Sequence, residues 1–262
     1  MKKLLIFCLL FVLCERLCYS QTDGFTLSKI NAQETSKKSS QTLRFLGSGK
    51  QFYAFESEDG KTVVKFIKQS RRRPLPFLAG LPLPYPISCF RNSYLEKREK
   101  RLRELKTCCQ LAYAELSEET GVIETHLNSE QTLSVTLVDK IGIAHTVDLE
   151  NSHFIIQKKA QLLTPPLSEK SIESMIALVS SLGKKGFVNL DPMIKRNFGL
   201  IDGKVALIDC GSLKKNQEVV SYPNFQRAIF LQLLPLREHL KNKQPHDVPY
   251  FDQKMQKALE IS

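Results

Sequence analysis

Apolar and polar positions change period several times along the chain, and each change marks an element. From Thr42 the run LRFLGSGKQFYAFESEDGKTVVKFIK is rich in β-branched and aromatic residues with partial alternation, which predicts strands. Gly47 to Gly49 and the pair Asp59-Gly60, read as a type I′ hairpin turn, divide it into three antiparallel strands. From Asn92, read as an N-cap, SYLEKREKRLRELKTCCQLAYAELSEE has no interior glycine or proline, and Leu95, Leu102, Leu105, Cys109, Ala112 and Leu116 recur at helical spacing. The pairs Glu96–Lys100 and Glu99–Arg103 suit a first half that projects into solvent. Strands return after Gly121 in LSVTLVDKIGIAHTVDL and HFIIQKKAQLL, until Pro165-Pro166. Ile172, Met175, Ile176, Val179 and Leu182 then predict a helix over 168–182 that Gly183 stops. Asp202-Gly203 predicts a hairpin of strands 198–201 and 204–208, and NFQRAIFLQLLPLREHLK, interrupted by Pro235, is the last helical candidate.

Three segments fall outside this pattern. Lys2 and Lys3 precede the apolar run LLIFCLLFVLC, so residues 1–20 read as a signal peptide and the chain as exported, either secreted or periplasmic. Small residues near CYSQ allow cleavage after Ser20; Glu15 and Arg16 sit awkwardly there and leave open an uncleaved leader that anchors the chain in a membrane. Residues 21–41 are polar and read as a flexible linker. Residues 71–90, RRRPLPFLAGLPLPYPISCF, carry five prolines, which exclude a helix or a central strand. They form an insert, read as an extended loop over the first lobe or as a contact for a membrane surface or a partner.

Composition narrows the picture. With 262 residues, 42% hydrophobic and 25% charged, the chain is globular and can bury one core or two lobes. Removing the leader takes out three basic residues and one acidic residue, which lowers the net charge from +11 to +9. A basic chain favours anionic partners such as nucleotide, phospholipid or nucleic acid, yet the basic residues are spread along the chain and a solvated surface explains most of them; no nucleic-acid partner is expected. Outside the leader, Cys89, Cys108, Cys109 and Cys210 show neither CxxC nor metal spacing, and five scattered histidines make no HExxH; a disulfide scaffold and a zinc site are not expected.

Candidate chemistry concentrates at the second hairpin. Its two ends lie side by side, so Asn197, just before the first strand, and Asp209, just after the second, are expected to be neighbours, with Asp191 in the loop leading in. Two carboxylates and an amide oxygen make a hard oxygen-donor set, of the kind that holds Mg²⁺ when a phosphate supplies the remaining ligands.

On these residues the chain resembles the protein-kinase-like fold, in particular its outlying small members. GSGKQF resembles the glycine-rich loop, VVK ending at Lys65 the strand lysine, LDPMIKRN the catalytic loop and IDCG the DFG motif. The resemblance implies an α+β, bilobal fold: an antiparallel sheet with one long helix over 42–160, and a reduced, mainly helical C-lobe with a metal-site hairpin over 161–262. It implies ATP and Mg²⁺ as cofactors, with Gly47, Ser48 and Gly49 over the phosphates and Lys65 on the α- and β-phosphates. It further implies Asp191 as base, Asn197 and Asp209 as metal ligands, and a hinge from Gln157 to Lys159 at the adenine. A helix glutamate should fix Lys65; Glu115 is favoured, with Glu119 and Glu104 as rivals.

The departures are specific. Phe52 stands where a third glycine is usual, Asn189 and Leu190 replace His and Arg before the base, and the gap from Asp191 to Asn197 is one residue longer than usual. No APE follows, and only 51 residues lie beyond Gly211, too few for a full peptide-gripping platform. The acceptor is therefore open: a protein, a lipid or a small molecule. Retention of Lys65, Asp191, Asn197 and Asp209 favours γ-phosphoryl transfer, whereas the missing His and Arg favour a pseudokinase, a binding or regulatory module without transfer.

Overall fold

In the computed structural model of the chain, residues 2–69, 84–85, 87–127, 133–221 and 223–260 are described. They divide into two compact units, each built from two separate stretches: residues 1–102 with 124–157, and residues 103–123 with 158–262. The second unit starts at Lys158, close to the boundary expected between 42–160 and 161–262, and also takes in residues 103–123. Most of the proline-rich insert at 71–90 lies outside the described residues.

The first unit is a sheet unit. α1 (Lys2–Thr22) precedes β1 (Gln33–Glu34), β2 (Thr42–Ser48), β3 (Phe52–Ser57) and β4 (Thr62–Ile67). Later come β5 (Val122–His126), β6 (Ser134–Val138), β7 (Ala144–Asp148) and β8 (Phe154–Lys158), in the sheet order β1-β7-β6-β2-β3-β4-β8-β5. β2, β3 and β4 pair antiparallel, as the strand pattern predicts, and β2 pairs β6 in parallel. The turn at Asp59-Gly60 is not type I′, since only Gly60 has positive φ, +67°; Gly60 N–H donates to Ser57 O and Asp59 keeps an ordinary conformation. Among the described residues no helix is long and apolar enough to cross a membrane.

Residues 24–35, expected within a flexible linker, are part of this sheet unit. Phe25, Ile30 and Ala32 are buried with Leu43, Tyr53 and Phe55 in one core, and β1 pairs antiparallel with β7. Phe25 meets Tyr53 and Phe55 edge to face, each at 5.3 Å between ring centroids, and the Tyr53 hydroxyl donates to Gly24 O. Few apolar residues suffice here because aromatic side chains remove large areas from water.

The long helix α2 (Ile87–Ala114) begins five residues before Asn92, so Asn92 is not its N-cap. Its late residues Leu105, Cys109 and Ala112 are buried, and its early, charge-rich part is largely exposed. The second unit adds α3 (Ser117–Thr120), β9 (Gln161–Leu162), α4 (Glu169–Lys184), β10 (Phe187–Asn189) and α5 (Ile194–Asn197). The hairpin β11 (Phe198–Ile201) and β12 (Lys204–Leu207) follows, then β13 (Leu213–Lys215), α6 (Asn224–Lys243) and α7 (Val248–Glu260). α7 was not legible in the sequence, since Phe251 is its one buried residue.

The Ser168 side chain caps α4 by accepting from Ser171 N–H, and Ile172, Met175, Ile176, Val179 and Leu182 are buried along its inner face. Gly183 does not stop this helix. It lies inside it, where a Cβ would stand 2.6 Å from Ile229 Cδ1 and 3.0 Å from Phe225 Cε2, and Gly186, φ +75°, makes the turn instead. Alanine at 183 gains about 1 kcal/mol of helix propensity, but overpacking against α6 costs roughly 1–3 kcal/mol. Gly183→Ala is therefore expected to lower the denaturation midpoint in a urea titration, although alanine is the better helix former.

Candidate active site

In the first unit, β2 and β3 close over the glycine segment. Gly49 N–H donates to Phe52 O at 2.9 Å, and the β2–β3 register shifts between Phe45 and Gly47. A Cβ at Gly47 would meet nothing within 4 Å, and one at Gly49 only Phe52 O at 3.9 Å. Neither glycine is thus demanded by packing within the chain. Lys65 sits on β4 opposite Ala54, half-buried between Val64 and Phe66.

A lysine that the sequence reading passed over holds the glycine turn. Lys68 N–H donates to Gln51 O, and Lys68 Nζ donates to Ser48 Oγ and Gly49 O, each at 2.7 Å, while lying 3.8 Å from the Tyr53 ring centroid. The signal was available: the pairing of Phe52 with Ile67 carries Lys68 past the strand end toward the turn. Gln157, the first expected hinge residue, is buried, and the division between the units falls between it and Lys158. Lys159 is exposed; Lys158 donates through its N–H to Gly121 O and through Nζ to Asp202.

In the second unit, the hairpin forms as predicted, with Asp202 (φ 51°) and Gly203 (φ 75°) both in the left-handed region that a type I′ turn needs. Its ends meet at Asn197. Asn197 O accepts from Ile208 N–H at 2.8 Å and Asp209 N–H at 3.4 Å, while Asn197 Nδ2 donates to Asp191 O at 2.5 Å. One residue, through its side-chain amide and its backbone carbonyl, therefore ties the Asp191 loop to the strand end carrying Asp209. The longer gap between Asp191 and Asn197 is taken up by the single helical turn α5.

Asn189, where the resemblance leads one to expect histidine, makes the loop's other fastening. Its Oδ1 accepts from Asp191 N–H (3.1 Å) and Ser212 Oγ (2.6 Å), and its Nδ2 donates to Asp191 O (3.2 Å). Its backbone N–H donates to Gln232 Oε1 of α6. The Asp191 backbone is thus held on both sides while its carboxylate is exposed. Asp209 Oδ1 accepts from Gly211 N–H at 3.1 Å. Among the described residues, no group of three or more His, Cys, Asp or Glu side chains could hold a metal ion, so a metal here depends on Asn197 and on ligand oxygens.

The glutamates are placed differently from expectation. α2 ends at Ala114, so Glu115 lies just off the long helix, and both its oxygens accept from Lys215 Nζ at 2.7 Å. Glu104 is on α2 and exposed. Glu119, on α3, is buried and accepts from Lys185 Nζ and Ser181 Oγ, each at 2.7 Å. Burial pushes its carboxyl up, but these two donors outweigh burial and hold it below the ordinary glutamate value. A depressed folded-state value means stability that is present above the ordinary pKa and lost as pH falls through the folded one. Wild type is expected to lose more stability than Glu119→Gln when urea midpoints are compared between pH 6 and pH 3.

No protein-family model matches the chain, and no curated protein matches it. Solved structures do. The chain is distantly similar in structure to kinase domains. It is 13% identical to WbdD over 81% of this chain and 46% of that one, with a TM-score of 0.43. It is 18% identical to the ROP18 kinase domain, solved with AMP-PNP and sucrose, over 66% of this chain and 51% of that one, with a TM-score of 0.39. A second structure of WbdD, described as a bifunctional kinase-methyltransferase, matches at 13% identity and a TM-score of 0.39, over 79% of this chain and 43% of that one. The kinase-like chain spans about half the length of the solved chains it matches.

Proposed function

We propose that the chain is an exported kinase-like phosphotransferase that binds Mg²⁺-ATP and passes the γ-phosphoryl group to an acceptor hydroxyl. The observation that carries this reading is the bonding of Asn197, which joins the Asp191 loop to Asp209. In both proposed ligands one atom fixes the side chain and another is left over. Asn197 Nδ2 and Asp209 Oδ1 are bonded, whereas Asn197 Oδ1 and Asp209 Oδ2 carry no hydrogen bond among the described residues. Such oxygens fit a hard cation.

The metal, when bound, supplies neutralisation of phosphate charge. The chain's own residues do the positioning. Gly47 and Gly49, with open space where a Cβ would be, let a phosphate approach the backbone of Gly47, Ser48 and Gly49 closely, with the Gly49 N–H to be released from Phe52 O if it is to serve. Lys65 supplies the compact cation for the α- and β-phosphates, and the backbone at Gln157 and Lys159 meets the adenine. Asp191 orients the acceptor hydroxyl and receives its proton through a carboxylate that its loop leaves exposed. Glu115, the favoured partner for Lys65, accepts from Lys215 in the structure. The leader read at 1–20 supports export, and activity then needs delivery to a compartment that contains ATP.

A pseudokinase is the second reading, favoured by Asn189 and Leu190 in place of His and Arg. The two separate by measurement. Mg²⁺ with ATP is expected to raise the melting temperature at saturating nucleotide, and labelled γ-phosphate should appear on an acceptor or in water. A shift without transfer selects the pseudokinase; no shift with any divalent metal overturns both.

A further inference from the structure

Three thiols of the second unit gather behind the Asp209 turn, and the phosphotransfer reading uses none of them. Cys109 Sγ and Cys210 Sγ are 4.0 Å apart, although 101 positions separate the residues in sequence. Both are buried, at 0% and 1% exposure. Cys109 lies on the inward face of α2, and Cys210 opens the 3-10 turn Cys210–Ser212 that directly follows Asp209. Cys108 differs from them. Its Sγ donates to Leu213 O at 3.0 Å, and burial pushes its thiol up to about 11, so it stays protonated.

We propose that Cys109 and Cys210 are a disulfide-forming pair, which joins on exposure to a low-molecular-weight disulfide and ties α2 covalently to the turn beside Asp209. A disulfide has its sulfurs about 2.05 Å apart, so the two must approach by roughly 2 Å, a movement on the scale of χ1 rotation. The chemistry balances as thiol–disulfide exchange. One cysteine thiolate attacks the oxidant's S–S bond, forms a mixed disulfide and releases one small thiol. The second cysteine thiolate displaces the other small thiol and closes the protein bond. The pair gives up two electrons and two protons, and the small disulfide takes them up as two thiols.

Burial decides when this happens. Exchange needs an accessible thiolate, and neither sulfur has one in the folded unit, so the bond closes as the chain folds in an oxidising medium. An exported chain folds in such a medium. The inference does not depend on phosphoryl transfer and stands or falls separately.

The test is refolding of the full chain in mixtures of oxidised and reduced glutathione, followed by alkylation, trypsin and mass spectrometry without reduction. The expected product links the peptide that starts at Thr107 to VALIDCGSLK, residues 205–214. Fragmentation between Cys108 and Cys109 of that product places the bond at Cys109 without any variant. Cys108→Ser should retain the link and Cys109→Ser should lose it. Because the closed loop is about 100 residues long, the oxidised protein should melt roughly 5–10 °C higher than the reduced one, a difference that reductant removes. The proposal is overturned if no linked pair forms at any glutathione ratio, if fragmentation places the bond at Cys108, or if the bond joins two chains.

Discussion

Asp209→Asn should abolish Mg²⁺-dependent phosphoryl transfer while leaving the fold intact. The amide keeps an Oδ1 that can still accept from Gly211 N–H, so the turn retains its cap. It lacks the charge that a hard cation requires, and loss of such a ligand removes several kcal/mol of transition-state stabilisation, on the order of 10³-fold in rate. Asp209→Ala removes both functions and should also lower stability by about 1 kcal/mol. Parallel assays of transfer and thermal melting distinguish the roles. Undiminished transfer by Asp209→Asn would refute the metal-ligand assignment. Asp191→Ala should reduce transfer by roughly 10²–10⁴-fold without altering the nucleotide-induced melting shift, since a general base contributes to the step and not to nucleotide binding.

The second large effect is one of stability. Phe25→Ala should cost about 3–5 kcal/mol, as for a core aromatic, because Phe25 is buried against Phe45, Tyr53 and Phe55. A residue in a solvated linker would cost almost nothing on the same substitution. Urea denaturation followed by far-ultraviolet circular dichroism reads the difference. A change below about 0.5 kcal/mol would show that residues 24–35 do not belong to the folded core.

The contrast between these two regions explains what a reader of the sequence can see. The hairpin that carries Asp209 was legible because Asp202-Gly203 encodes its own turn and short apolar runs flank it. Asn197 and Asp209 follow from that register alone. The bonds that hold Asp191 were not legible, since an asparagine at 189 has the same spelling whether it faces water or fastens a loop. Residues 24–35 hid for a different reason. Phe25, Ile30 and Ala32 are spaced irregularly among polar residues, so they show neither the period of a strand nor that of a helix, and only the cavity they fill reveals them. Asn92 looks like a cap in the sequence, yet it lies inside α2, which begins at Ile87. Glu115 falls within the long helix that the sequence predicts, and the helix ends one residue short of it.

The interleaving of the two units has a consequence for how the protein is made. Residues 103–123 leave the ribosome before any of the 158–262 stretch to which they belong, and the 124–157 stretch that completes the first unit is synthesised between them. The buried face around Leu105, Cys109 and Ala112 must wait, uncovered, while the sheet finishes. No single cut in the gene leaves both units intact, since a cut after Gln157 divides the second unit and a cut after Leu102 divides the first, so complementation by two co-expressed fragments is the route to a working split form.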